Sequence, residues 1–322
     1  MKHLFIIALT AILLTLHVCA DEKAKVSLPT IFGNNMVLQR DRVIPVWGWA
    51  EPGEAVTVEF SNQKVSTTAD LSGKWKTALK AMPANAEPAV LKITGPNIII
   101  IKNIVVGDVW VCSGQSNMEF PVKRSLQSKK ESESANFPLI RHIKVNHQPS
   151  DKPLKHFNGS WVECSPKTVV NFTAVGYYFG RRLHQELNIP IGLINTSWGG
   201  TRIEPWTPPV GFARIKEQKF AADIIKRLAQ VNPATADGRA SYTKAIADIE
   251  TWLSEAKADV SAGKYPPVMP TLPTIGRSRQ DPTRLYQGMV APLVPYAMRG
   301  TIWYQGESNG GEGMSYYHKK RA

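Results

Sequence analysis

Between Arg42 and Thr94 apolar and polar residues alternate in short runs: Arg42-Val-Ile-Pro-Val-Trp-Gly-Trp, Ala55-Val-Thr-Val-Glu-Phe, Lys64-Val-Ser-Thr-Thr and Ala89-Val-Leu-Lys-Ile-Thr. Their β-branched and aromatic residues favour strands, and Asn34-Asn35, Pro52-Gly53, Ser72-Gly73 and Gly95-Pro96-Asn97 supply turns between them. Even spacing without a helical period predicts an antiparallel β-sandwich over residues 25–107. The mainly apolar run from Asn97 to Val106 is expected to close its sheet.

From Asp108 the period changes. Asp108-Val-Trp-Val-Cys, Leu139–Val145, Ile189–Ile194 and Gly300–Tyr304 read as short apolar strands. Between them Ala174–Leu187 has a helical period, with Val175, Tyr178, Phe179, Leu183 and Leu187 on one face. Strands alternating with helices predict an α/β domain over 108–322, a mostly parallel sheet with helices on both faces. An insertion of about 207–275 interrupts it. Phe212, Ile215, Phe220, Ile224 and Leu228 mark one amphipathic helix; Tyr242, Ile246, Ile249, Leu253 and Ala256 mark a second. Asn232-Pro233 and Asp237-Gly238 lie between them, which predicts a helical hairpin.

The N-terminus adds a compartment. Lys2 and His3 precede Leu4–Leu16, polar only at Thr10 and Thr15, and Val18-Cys19-Ala20 offers small residues for cleavage. This is a signal-peptide pattern over 1–20, too short to span a bilayer, and predicts export to the periplasm or the extracellular space. No second stretch of spanning length follows. Cys112 and Cys164 then remain, either paired in the oxidising compartment or as two buried thiols.

Composition adds exclusions. At 322 residues, 43% hydrophobic and 20% charged, the chain is too apolar for disorder and long enough for about two domains. Its formal charge of +13 is dispersed, with no basic run interleaved with aromatics, so nucleic acid is not an expected partner. No zinc-type Cys/His spacing occurs, and no metal is expected.

Three polar loops each follow a predicted parallel strand, where ligands of α/β sheets bind. Cys112-Ser113-Gly114-Gln115-Ser116-Asn117-Met118 places a serine on a glycine-containing turn, its hydroxyl exposed and its own N–H near a developing oxyanion. Asn195-Thr-Ser-Trp-Gly199-Gly200-Thr201 lets backbone approach a substrate. Gln305-Gly306-Glu307-Ser308-Asn309 adds amides and a carboxylate. Singly, each is also ordinary turn chemistry.

Together, Gly114–Met118, Thr196–Thr201 and Trp303–Asn309 resemble the sialate O-acetylesterase family of SGNH hydrolases. So do Asn35-Met36-Val37-Leu38-Gln39, Trp47-Gly48-Trp49-Ala50 and Leu285-Tyr286-Gln287-Gly288-Met289. The resemblance implies a flavodoxin-like α/β domain behind a β-sandwich, and removal of O-acetyl groups from sialic acid or another acetylated glycan without a cofactor. It implies Ser116 as nucleophile through an acetyl-enzyme. The Ser116 N–H, the N–H of Gly199 or Gly200 and the Gln305 side chain are the implied oxyanion hole, with Gln115, Asn117, Glu307 and Asn309 in support.

The resemblance breaks at the base. The family's Asp-x-x-His motif is absent from the chain, so neither triad Asp nor His is present. His142 and His147 have no acidic partner at motif spacing, His156 precedes an Asn-Gly turn, and His184 falls on the solvated side of its helix. His318 follows the third loop, where the family begins another helix. The expectation is a fragment ending within its α/β domain, whose residues 21–322 alone release negligible acetate. Two alternatives stand beside sialate esterase activity: deacetylation of xylan or another plant glycan, and a non-catalytic glycan-binding protein.

Overall fold

A computed structural model of the chain describes residues 25–310. The leader run Leu4–Leu16, Cys19 and His318 lie outside the described residues.

The N-terminal strands are β1 (Val37–Gln39), β2 (Ile44–Trp49), β3 (Ala55–Phe60), β4 (Gln63–Thr68), β5 (Lys74–Leu79) and β6 (Asn85–Thr94). β3 pairs antiparallel with β4 and β6, while β2 and β5 form a separate two-stranded ribbon. Alternation sets the facing: Ile44, Val46, Trp75 and Leu79 of the ribbon and Val56, Val58, Phe60, Leu91 and Ile93 of the larger sheet enter one core. β1 is too short to leave an alternating signal, and neither β1 nor β5 was anticipated.

The next strand differs most from expectation. In place of one strand ending at Val106 and another starting at Asp108, β7 runs unbroken from Ile98 to Gly114. Gly107 marks a close approach rather than a turn, since a Cβ there would lie 1.9 Å from the Pro190 carbonyl oxygen. Asp108 is then fixed by its N–H to Pro190 O and by Gln39 and Arg40, which donate to its carboxylate at 2.9–3.1 Å. The first half of β7 pairs with β6 and, in parallel, with β1. Its second half pairs in parallel with β10 (Ile191–Ser197) and β11 (Gly300–Tyr304). β8 (Phe137–Lys144) joins β10 in parallel, and β9 (Val162–Cys164) adds an antiparallel edge. The α/β sheet therefore reads β9-β8-β10-β7-β11, the α/β class expected.

Among the helices, α1 (Ser116–Glu119) follows β7 directly, α2 (Ser128–Ser134) is short, and α3 (Ala174–Leu187) packs on β10. Thr173 caps α3 by accepting the Gly176 N–H. The face α3 buries is not the predicted one. Ala174, Gly176, Tyr177 and Gly180 point inward, while Val175, Tyr178, Phe179 and Leu183 are half-buried and Leu187 is exposed. The helix lies too close to the sheet for larger side chains: a Cβ at Gly176 would stand 2.8 Å from Cys112 Sγ. His184 is likewise not solvated, because its Nδ1 lies 2.8 Å from Ile189 O at the end of the helix.

The insertion holds three helices rather than two: α4 (Pro209–Ala213), α5 (Lys219–Gln230) and α6 (Ala236–Ser261). Asp237-Gly238 is not a turn but the first turn of α6, where Thr235 Oγ1 accepts the Gly238 N–H at 3.0 Å and Asp237 faces the positive end of the helix dipole. Ile246 and Leu253, predicted on the packed face of α6, stay 49% and 45% exposed. Cys112 and Cys164 are separate buried thiols, so the disulfide alternative is not realised. Burial pushes both thiols up to about 12.

Candidate active site

The three loops expected to carry chemistry meet at the carboxyl ends of β7, β10 and β11. Ser113 Oγ donates to Thr196 O at 2.7 Å, the Trp198 N–H to Gly114 O at 3.1 Å, and the Gln115 N–H to Tyr304 O at 2.9 Å. Gly114 is the junction. Its φ is +138°, and a Cβ there would lie 2.0 Å from Tyr304 O, so only glycine fits this meeting of three strand ends. The third loop docks on the first: Asn117 Nδ2 donates to Glu307 Oε1 at 2.6 Å, and the Ser308 N–H to Gln115 Oε1 at 3.3 Å.

Ser116 opens α1 and is exposed, and its hydroxyl has no hydrogen-bond partner among the described residues. Gly199 sits beside it; a Cβ built there would lie 3.4 Å from Ser116 Cβ. The Gly199 N–H donates to Glu119 Oε2 at 2.7 Å. The other oxygen of Glu119 accepts from Lys144 Nζ at 3.2 Å and lies 2.8 Å from His147 Nε2. The His147 ring stacks on Trp198 with centroids 4.1 Å apart, and the Arg279 guanidinium sits 5.4 Å from the Trp198 ring centroid. Gly200, at φ +70°, accepts from Gln280 Nε2 through its carbonyl at 2.5 Å, and its N–H has no acceptor among the described residues.

The third loop is arranged differently from its reading. Gln305 Nε2 donates to Thr201 O at 3.2 Å and to Asn309 Oδ1 at 2.7 Å, so both amide hydrogens are engaged within the loop cluster. Asn309 is buried. Its Oδ1 also accepts the Ile203 N–H at 2.9 Å, and its Nδ2 donates to the Glu204 carboxylate at 3.1 Å.

In front of Ser116 lies a cavity of about 570 Å³, lined among others by Glu119, Lys123, Arg124, Lys144, Asn171 and Asn195. Lys123 donates to Asn171 Oδ1 at 3.0 Å, whereas Arg124 has no carboxylate partner among the described residues. No cluster of three or more His, Cys, Asp or Glu among the described residues has a metal-holding arrangement.

Sequence reasoning missed Glu119, Lys144, Glu204 and Gln280. Glu119 left a usable signal, standing one helical turn after Ser116; the others arrive from distant segments. The histidines divide clearly. His142 is buried and stacked on Phe172, and burial, with Lys144 nearby, pushes its imidazole down to about 3. His156 is an exposed loop residue beside Trp49. His147 has no acidic partner at motif spacing, and the fold brings Glu119 to it from a distant segment.

Comparison with known proteins agrees with the fold. Residues 106–240 match the family model described as carbohydrate esterase, sialic acid-specific acetylesterase. The chain is 29% identical over 296 residues to the sialate O-acetylesterase of Mus musculus, covering 86% of this chain and 51% of that protein. It is 27% identical over 320 residues to the sialate O-acetylesterase of Homo sapiens, covering 92% and 52%. The chain thus spans about half the length of the curated relatives it matches. A crystal structure of a carbohydrate acetylesterase from Xanthomonas citri superposes with a TM-score of 0.69 at 29% identity, over 92% of this chain and 54% of that one. In its α/β sheet and over the matched residues the chain is thus similar to sialate O-acetylesterases and to a carbohydrate acetylesterase of known structure.

Proposed function

We propose that the chain carries the nucleophile and oxyanion side of a carbohydrate O-acetylesterase acting on O-acetylated sialic acid. The observation that carries this reading is the exposed Ser116 at the end of β7 with Gly199 packed against it and a cationic cavity in front. Ser116 Oγ attacks the acetyl carbonyl and its proton passes to a base; the sugar hydroxyl leaves, and water then releases acetate from the acetyl-enzyme. The described residues place no histidine on Ser116, so the proposal takes that base from outside residues 25–310. The proposal takes the Ser116 N–H and the Gly200 N–H as oxyanion donors, since neither has an acceptor among the described residues. Gly199 serves by holding the loop through Glu119, and Gln305 joins the hole only by turning away from Asn309. Losing one such donor costs about 3 kcal/mol of transition-state stabilisation.

Lys123, Arg124 and Lys144 along the cavity favour a carboxylated sugar over neutral acetylated xylan. The leader pattern at 1–20 supports export before the enzyme meets its glycan, and no described helix is long and apolar enough to cross a membrane.

Acetate release from 9-O-acetylated sialic acid, acetylated xylan and p-nitrophenyl acetate tests the reading. It is measured for residues 21–322 and for the same chain extended through whatever reading frame follows Ala322. The expected result is negligible release by 21–322, and release by the extended chain that Ser116→Ala abolishes. Arg124→Ala is expected to raise KM for the sialate and leave the neutral ester unchanged. Activity that survives Ser116→Ala would overturn the assignment of the nucleophile.

A further inference from the structure

A second groove lies against the β2–β5 ribbon and shares no lining residue with the Ser116 cavity. It has a volume of about 880 Å³, within the range of built small-molecule sites. The strand period explains its chemistry. Trp47 and Trp49 lie on the outward face of β2, and the ribbon register sets them directly opposite Lys76 and Lys74 of β5. Two indole faces and two ammonium groups therefore share one surface, with Thr67 and Thr68 at its margin.

The opposite wall adds more positive charge. Lys152 and Lys155 come from the segment before Phe157, and Lys155 Nζ stands 4.9 Å from the Trp49 ring centroid. None of these four lysines has an ion-pair partner among the described residues. The one acid lining the groove, Asp70, is committed to its own turn: its Oδ1 accepts from the Ser72 N–H, the Ser72 hydroxyl and the Lys74 N–H at 2.7–3.1 Å. The groove thus presents indole surfaces, hydroxyls and four lysines against a single carboxylate, Asp70, so it carries a net positive charge.

We infer that this groove binds an acidic oligosaccharide, a short sugar chain bearing carboxylates. A sugar ring packs its C–H face on Trp47 and on the part of Trp49 that Lys155 and His156 leave open, Thr67 and Thr68 meet hydroxyls, and the lysines meet carboxylates. A single-stranded nucleic acid also needs aromatics and cations, but it needs a groove that tracks several nucleotides of backbone, and this one has the volume of a single small-molecule site. The inference stands apart from the esterase reading, because it uses neither Ser116 nor its loops.

Calorimetric titration of the whole chain carrying Ser116→Ala decides the matter. The probes are unacetylated α2,8-linked disialic acid, trigalacturonic acid, neutral xylotriose and a short oligothymidylate. Both acidic sugars are expected to bind, more weakly as salt rises, with xylotriose at least tenfold weaker. Lys74→Glu/Lys76→Glu, at exposed positions that leave the ribbon core untouched, is expected to weaken the acidic sugars at least tenfold, and Trp49→Ala to do the same. Xylotriose binding as tightly as the acidic sugars would overturn the inference, as would tighter binding of oligothymidylate. So would unchanged affinity in the folded double-lysine variant. None of these outcomes touches the acetate-release experiment.

Discussion

The carboxylate of Glu119 holds the Gly199 amide with one oxygen and Lys144 and His147 with the other. Ser116, Gly199, Gln305 and Asn309 stand out in the sequence because each lies in a polar loop that follows a strand. What they bond to does not, since the Gly199–Glu119 pair spans 80 residues and leaves no local pattern. His142 shows the same limit from the other side, because nothing near it in sequence says that it is buried. Its consequence is a pH dependence. In the unfolded chain imidazole titrates near 6.5, whereas the folded protein keeps His142 neutral down to about 3. Above about 6.5 both states are neutral and the contribution is complete. Below that the unfolded chain binds a proton the folded one refuses, so stability falls with pH until about 3. His142→Phe, which preserves the stack on Phe172 and removes an Nε2 that lacks a partner, is expected to flatten the melting temperature between pH 6.5 and 4. An unchanged slope in that variant would count against the assignment. The two thiols make a simpler case: buried and pushed up to about 12, Cys112 and Cys164 should resist a thiol reagent such as dithionitrobenzoate in the native protein and react only on unfolding. Prompt labelling of the folded chain would contradict their placement.

Elements were recovered where hydrophobic period alone decides. The bounds of α3 and β11 match the sequence reading, and β2, β3, β4 and β6 follow from alternation. Errors arose where glycine carried two meanings. Gly107 looks like a break and is a close pass of backbone; Gly176 and Gly180 look like weak points of a helix and form its buried face. Asp237-Gly238 looks like a turn and is a capped helix start. Two substitutions probe how elements hold the site. Thr173 caps α3 and donates its hydroxyl to Met118 O at 2.5 Å, tying α3 to the helix that carries Ser116. Thr173→Ala is expected to cost about 1–2 kcal/mol, read from the denaturant midpoint. Gly114→Ala forces a side chain into a left-handed backbone against Tyr304 O, and should cost about 3 kcal/mol or more. A midpoint within experimental scatter of wild type would mean that the three strand ends do not meet there as described.

At the scale of the molecule, one apolar cluster runs from the N-terminal sandwich through Val105, Val109 and Val111 of β7 to Ile143 and Ile194 of the α/β sheet. A change of period at Asp108 is visible in the sequence, but a shared core and a shared strand are not, because neither changes local pattern. Both halves are therefore expected to unfold in a single transition, with calorimetric and van't Hoff enthalpies in agreement. Two resolved transitions would argue for separable modules. β7 itself has a mechanical consequence. It behaves as a rigid ruler: its sandwich half is indexed by β6 and its other half ends two residues before Ser116. A one-residue insertion or deletion between Ile98 and Val106 would have to be absorbed at one of its two ends. Slippage toward the sandwich would turn its buried side chains outward, while slippage toward the sheet would carry the serine about 3.3 Å along the strand axis, out of register with Gly199. The distance from turn to serine is thus counted in residues, and changes of length in this protein belong in its loops and its helical insertion rather than in that strand.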